Sequence, residues 1–466
     1  MRVPVLAVLC CTSILGCTSD SPDVAPVVVE TPQAVAAPQA VAVPAGSPFA
    51  PQAHVHLAMY GLTGQDFAPE PAFAKLMQEQ LPGVTRIIDI PGEANGPTVF
   101  SLEPPVADYP PPPAEAIPHF SVGLTPEQQQ ALPGADRVFV TEWTLDGGTD
   151  GQTQLHRLME LWGQLAQATG GVPWDDDTRQ AFSVEAWGQR RTAHWQGDLP
   201  RADSHMIMHL YGNQGDYRLI TLGMDKLGLP DLTIPSIIRN DSNVMGPMIN
   251  AVAQHMIEGG QIGPDGTLSL DLAAIQHTEL REALQLHVIE GTGKAQLRLQ
   301  VATPQEGDAD NRLWEIAFPG TADAYHQAQI AMLEGVFGNS DDGVVYMEHD
   351  AELEAASARS RAELLGMKAE LQGHFDQGWA LLVKGPFPTP AGNTEWMWVE
   401  VRSWQGDTFE GLLINEPVEI PELKYGMTVH VGEADLYDYR LDKADGSVMG
   451  WHATRLQAVR EGIEIE

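Results

Sequence analysis

Histidine offers the first chemistry to weigh in this sequence. His54 and His56 stand two residues apart in HVHLAMYG, and His205 and His209 flank Ile207 in SHMIMHLYG. Both stretches alternate as strands do, so side chains two apart share a face. If the two strands were neighbours, four imidazoles could converge on one ion, and Zn²⁺ or Cu²⁺ suits such ligands. Nothing in the spacing forces that convergence. HExxH is absent and no Asp or Glu sits at a diagnostic offset. Ile207 makes its own face partly apolar, as a core-facing strand would be. Half-buried sheet histidines bonded to backbone or carboxylates are the simpler expectation.

Other catalytic signatures are missing. There is no Gly-x-Ser-x-Gly elbow, and Ser340 in GNSDDG reads as an exposed turn. Gly291-Thr-Gly-Lys294 lacks the upstream Gly and the following Ser or Thr of a phosphate-binding loop. A glycosidase needs two carboxylates at a set separation, and 63 acidic residues leave the pair unspecified. Asp146-Gly-Gly-Thr-Asp150 and Asp175-Asp176-Asp177 could attract Ca²⁺, but neither has EF-hand spacing or its closing Glu. They read as ordinary loops.

The aromatic signal is stronger. Of 11 Trp residues, Trp379, Trp396, Trp398, Trp404 and Trp451 follow Phe375. Along 396–402, Met397, Val399 and Val401 form an apolar face, and Trp396, Trp398, Glu400 and Arg402 form the other. Two Trp and two opposite charges could stack on a sugar or clamp a peptide, with Lys384 joining from the preceding strand. The competing expectation is that these Trp pack under the helix at 350–373 or against another domain.

The elements that must position these residues follow from periodicity. HVHLAMYG is a strand and PEPAFAKLMQEQL a helix; VFVTEWTL (138–145) is a strand. Gln154–Ala168 is an amphipathic helix with Leu155, Leu158, Leu161, Trp162 and Leu165 on its stripe. Strands at 204–212 and 217–224 and a helix at 245–258 complete an α/β sandwich region over 54–263. Residues 264–374 read as a further α/β region with connecting helices, including a hairpin in LQLHVIEGTGKAQLRLQVA that turns at Gly291 and Gly293. From 375 to 466 short strands and tight turns predict a small, mostly-β, barrel-like domain, a curled sheet or partly open barrel. The fold class is therefore α+β.

The first 16 residues predict export. Arg2 is the basic n-region, and Val3 to Leu15 is an apolar run too short to span a bilayer. It closes on Ile14-Leu15-Gly16-Cys17, which resembles the lipobox of bacterial lipoproteins. That resemblance implies acylation of Cys17, cleavage before it and stable anchoring to a membrane. Thr18 and Ser19 follow, with no adjacent Asp, so the outer membrane is the expected destination, facing periplasm or surface. The other two cysteines, Cys10 and Cys11, leave with the leader. Residues 18–53, rich in Ala, Pro, Val and Gln, read as a disordered linker with a reach of roughly 100 Å. The formal net charge of −37 argues against nucleic acid and anionic headgroups as partners.

The C-terminal residues carry a family resemblance. Val383-Lys384 with Pro386, Glu395-Trp-Met-Trp398-Val, Gly411-Leu-Leu-Ile-Asn415-Glu-Pro417, Leu423-Lys-Tyr-Gly426 and Asp435-Leu-Tyr-Asp438-Tyr439 resemble the YegJ-like bacterial family, domain of unknown function 2314. Trp396 stands where that family usually has His, and Tyr439 where it usually has Trp. The resemblance brings no activity with it. A lipid-anchored envelope protein that binds a protein, peptide or cell-wall component, without a cofactor, is the expected function. The alternative is an envelope metal-dependent hydrolase using Zn²⁺ at His54, His56, His205 and His209.

Overall fold

The computed structural model describes residues 41–87, 96–213, 216–238, 242–321, 323–338, 351–371, 379–390, 392, 394–415, 417, 420–443 and 447–461. Cys17, Ser340 and residues 18–40 of the anticipated linker lie outside them.

The first sheet comprises β1 (Gln52–Gly61), β2 (Thr85–Ile87), β3 (Thr98–Leu102), β4 (Ser121–Val122), β5 (Arg137–Asp146), β6 (Val172–Asp175) and β7 (Gln180–Phe182). Its order is β2-β3-β5-β1-β6-β7-β4. Strand alternation sorts β1 into two faces. Val55, Leu57 and Met59 enter the main core together with Phe139, Trp143 and Leu145 of β5. The helix Gly148–Thr169 lays Leu155, Leu158, Leu161, Trp162 and Leu165 into the same core, as its apolar stripe requires. It stops at Gly170, whose φ of 67° is the left-handed cap that glycine adopts freely. On the opposite face Ala58, Tyr60, Val138 and Val140 are covered by Ile117, Leu124 and Leu132.

A short hairpin, β8 (Trp195–Gln196) and β9 (Leu199–Pro200), leads to the second sheet. This contains β10 (Ile207–Asn213), β11 (Asp216–Leu222), β12 (Asp231–Ile237), β13 (Thr267–Asp271), β14 (Lys294–Val301) and β15 (Leu313–Ala317), ordered β10-β11-β12-β15-β14-β13. The boundary anticipated at 263/264 falls inside this layer, because β12 and β15 pair in parallel. Helix Ser242–Ile257 is packed between, with Met245, Met248, Ile249 and Val252 buried in the same core as the first sheet.

Three expectations need correction. Residues 41–53 are not free linker: Ala42 bridges Gln300, Gly46 exchanges hydrogen bonds with Ile262, and Val43 is buried. The hairpin anticipated around Gly291 has only its second strand. Leu284 and Gln285 finish the helix Thr278–Gln285, and Leu286 and Ile289 are exposed, so the alternation there belongs to a helix end and a turn. His205 is not on β10. It follows the 3₁₀ turn Ala202–Ser204, two residues before the strand begins.

The third sheet is antiparallel and open: β16 (Ala380–Pro388), β17 (Thr394–Gln405), β18 (Thr408–Leu413), β19 (Thr428–Gly432), β20 (Asp438–Asp442) and β21 (Val448–Gly450), ordered β19-β18-β17-β16-β20-β21. The expected curled sheet or partly open barrel is a six-stranded sheet that does not close. Met397, Val399 and Val401 form its core with Leu364 from the helix Ala351–Gly366. Buried Asp438 accepts from Ser360 of that helix and from the Thr454 amide at the start of helix His452–Glu461. The C-terminal unit therefore includes the helix at 351–366 and does not begin at 375.

One ionic contact ties the first two layers together. Asp175, at the end of β6, meets Lys226 Nζ at 2.6 Å and Arg191 Nη2 at 2.8 Å, with all three side chains at most 2% exposed. Lys226 comes from the connection between β11 and β12, and Arg191 also donates to the Ser204 carbonyl. Burial alone would raise the Asp175 carboxyl, but Lys226 and Arg191 outweigh it and hold the group ionised well below the usual range. Gly223 makes room for this packing: its φ is +102°, and an added Cβ would stand 2.7 Å from Thr178 Cγ2 and from the His205 carbonyl oxygen. Asp175→Asn would leave two buried cations without their anion. It is expected to lower unfolding free energy by about 3–5 kcal/mol, read by urea denaturation, whereas Lys226→Met, which retains the Asp175–Arg191 pair, is expected to cost distinctly less.

Candidate functional site

Burial fades along one face of the first sheet. Tyr60 and Val138 are covered, whereas toward the other end of β1 and β5 His54, His56 and Thr144 are half-buried and Glu142 is exposed. The register places Glu142 opposite His56 and Thr144 opposite His54. Directly opposed residues share a face, so two imidazoles and a carboxylate line this open end.

Asp177 orients His56. Its Oδ1 lies 2.8 Å from His56 Nδ1, and its Oδ2 accepts from the His56 amide at 3.1 Å. Asp177 is 8% exposed and His56 43% exposed, so the carboxylate is fixed while the imidazole still meets solvent. Burial would lower the His56 pKa, but Asp177, with Asp176 and Glu142 nearby, raises it to about 9. His54 moves the other way, lowered by burial and by its positive neighbour His56. Asp176, held by the Trp174 indole at 2.8 Å, is raised by burial. Asp225 is raised to about 7, first by burial and then by Asp177, against the pull of His56. Displaced titrations of this kind cluster at functional sites and also accompany structural networks of charge.

The four histidines of the metal reading do not come together. His54 and His56 are on the first sheet, and His209 is on β10, the edge of the second. His205 is fully buried against the Trp195 ring edge, 4.9 Å between centroids, and neither of its ring nitrogens has a partner among the described residues. Burial and the neighbouring Arg191 and Lys226 keep it neutral. His209 lies near Phe120, 5.6 Å between ring centroids, and is likewise lowered by burial. Among the described residues no three His, Cys, Asp or Glu side chains are grouped to hold a metal ion.

The aromatic face of β17 is engaged in packing. Trp396 lies 4.7 Å from the Tyr437 ring and joins Leu353 and Ala453. Trp398 packs with Ile238 and Ile330 of the preceding layer, and Lys384 sits over its ring at 5.8 Å. Glu400 is buried, and Arg402, 3.7 Å from it, donates to the Ile237 carbonyl and covers the Tyr217 ring. Trp396 thus packs within the C-terminal unit, and Trp398 and Arg402 join the third sheet to the second-sheet region.

Sequence reasoning passes over the polar residues that matter most here. The run Asp175-Asp176-Asp177 has the composition of a loop, yet its three carboxylates act separately. Asp175 holds two cations, Asp176 takes an indole and Asp177 orients His56. A detectable signal is Lys226 amid Met224, Leu227 and Leu229, a charge flanked by apolar residues. Asp308, in the polar stretch EGDADN, grips Arg218 through two bonds of 2.7 and 2.9 Å.

Residues 350–464 match the family described as "Uncharacterized protein conserved in bacteria (DUF2314)". The match starts with the helix at 351–366, in agreement with the packing of that helix on the third sheet. No curated protein matches the chain, and no solved structure does.

Two outcomes follow from these contacts. Trp398→Ala is expected to cost roughly 2 kcal/mol, less than the ~3–5 of a fully buried Trp, and to speed proteolytic release of the C-terminal unit. For Asp225, the folded pKa lies above that of the unfolded chain. Between about pH 4 and pH 7 the folded state holds a proton the unfolded state has lost, so this group's contribution falls as pH rises. An Asp225→Asn variant lacks that decline. Its melting temperature should gain on the wild type from pH 5 to pH 8; a constant difference would mean that Asp225 ionises normally.

Proposed function

We propose that this chain is a lipid-anchored bacterial envelope protein that binds rather than transforms its ligand. Export and acylation at Cys17 rest on the lipobox Ile14-Leu15-Gly16-Cys17. Anchoring through that lipid, with the outer membrane as destination, leaves the body at 41–466 to meet a protein, peptide or cell-wall ligand.

The observation that carries the binding reading is the open end of the first sheet. There Glu142, His54 and His56 face solvent beside Asp177, whereas Trp396, Trp398, Glu400, Arg402 and Lys384 are occupied by packing. The acids around His56 and a net charge of −37 favour a ligand with positive charge. The hydrolase alternative needs His205 and His209 beside His54 and His56, and no three such side chains are grouped among the described residues.

Two measurements test this reading. Cys17→Ser is expected to abolish incorporation of labelled fatty acid and to move the protein from the membrane to the soluble fraction; retention of label would refute the anchor. Glu142→Lys, a substitution at an exposed strand position, is expected to remove site-specific crosslinks to envelope ligands from a photoreactive residue at position 144. Unchanged crosslinks would exclude this face as the recognition surface.

A further inference from the structure

We propose that His54 and His56 form a two-imidazole strand chelate for a borderline divalent transition metal, Cu²⁺ in preference to Zn²⁺, beside the carboxylate of Glu142. The inference rests on the reading of this face as the recognition surface and names one ligand for it.

Geometry carries the argument. Residues two apart on a strand present their side chains on one face about 6.5–7 Å apart along the chain, a span two imidazoles can close around a single ion. Both histidines are half-buried and still reach solvent. Glu142 lies directly across the β1–β5 pair from His56, with a Cβ separation of about 4.5–5.5 Å in such pairs.

The support for the ligating ring is already built. A metal-bound histidine almost always donates its other ring N–H to a carboxylate or carbonyl, which fixes the tautomer and turns the ligating nitrogen outward. Asp177 does this for His56: it holds Nδ1 at 2.8 Å and is itself pinned by the His56 amide. Nε2 is left as the ligating atom. Asp176, Asp177 and Asp225 all interact electrostatically with His56, so the local field is negative and favours a dication.

The chelate is open. No three donors converge among the described residues, so the ion would be gripped by the two imidazoles alone, with the Glu142 carboxylate adding only negative charge nearby. The remaining coordination sites stay available to water or to a donor from a partner. Imidazole ligation with open positions selects Cu²⁺ over Zn²⁺ by the general affinity order of divalent ions. The site differs from the four-histidine arrangement in needing neither His205 nor His209.

The test uses the full mature protein in detergent, at one fixed pH for every variant because metal and protons compete for imidazole. Copper is titrated in the presence of a weak competing chelator. Binding is followed by calorimetry, and the ligand nitrogens are counted by electron paramagnetic resonance. One Cu²⁺ per chain with two imidazole nitrogens is expected. His54→Ala or His56→Ala should each reduce this to one nitrogen and weaken binding by more than about tenfold, while His430→Ala, on the third sheet, leaves both readings unchanged. A copper signal that persists in the His54→Ala/His56→Ala double variant, or no binding above that variant, would overturn the proposal. Crosslinking from position 144 reads the ligand-binding face separately, so the metal can fail while the face stands.

Discussion

A carboxylate sealed from solvent and shared by two cations is the constraint on which the main body depends. Asp175 ends a strand of the first sheet, Lys226 sits in a connection of the second, and Arg191 lies between. None of these charges can return to water without parting the layers. The desolvation penalty is large for each, and only close mutual placement offsets it. That makes the arrangement intolerant of sliding: hydrophobic contact between two layers is non-directional, whereas this triad fits in one registration. Gly223 belongs to the same device, since its backbone supplies the space that any side chain would fill.

The rest of the molecule extends from that junction. Asp231 anchors Thr221 and Asn311 beside it, and Arg218 with Asp308 fixes the far side of the second sheet. The C-terminal sheet then docks through Trp398 and Arg402, which join it to Ile237 and Ile238. Buried polar contacts thus recur wherever one layer meets the next. Their energetic return over apolar packing is small, and a role in fixing the mutual position of the layers is consistent with their placement. The open end of the first sheet borrows from this rigidity: Asp177, which orients His56, is two residues from Asp175 along the chain.

Local structure is largely legible in the residues. The helix at 148–169, the strands at 52–61 and 137–146, and the alternation that buries Met397, Val399 and Val401 all follow from a 3.6-residue or two-residue period. The departures have particular causes. His205 continues the alternation of 206–212 and so reads as strand, but a 3₁₀ turn intervenes. LQLHV resembles one arm of a hairpin because a helix end and a strand share short apolar alternation. Residues 41–46 have the composition of a linker, although Ala42 bridges β14, Gly46 pairs with Ile262 and Val43 sinks into the core.

By itself the sequence determined what local chemistry determines: the α+β class, the position of most helices and strands, and the placing of His54 with His56 on one face. Periodicity acts over a few residues, and a face is a property of one element. Which elements become neighbours is decided by long-range packing, and only the tertiary structure settled that. It set His205 and His209 apart from the other pair, turned the Trp398 face inward, and brought Asp177 onto His56 from 121 residues away. A carboxylate acts on an imidazole only at contact distance, and no local pattern encodes a contact between residues so far apart in the chain.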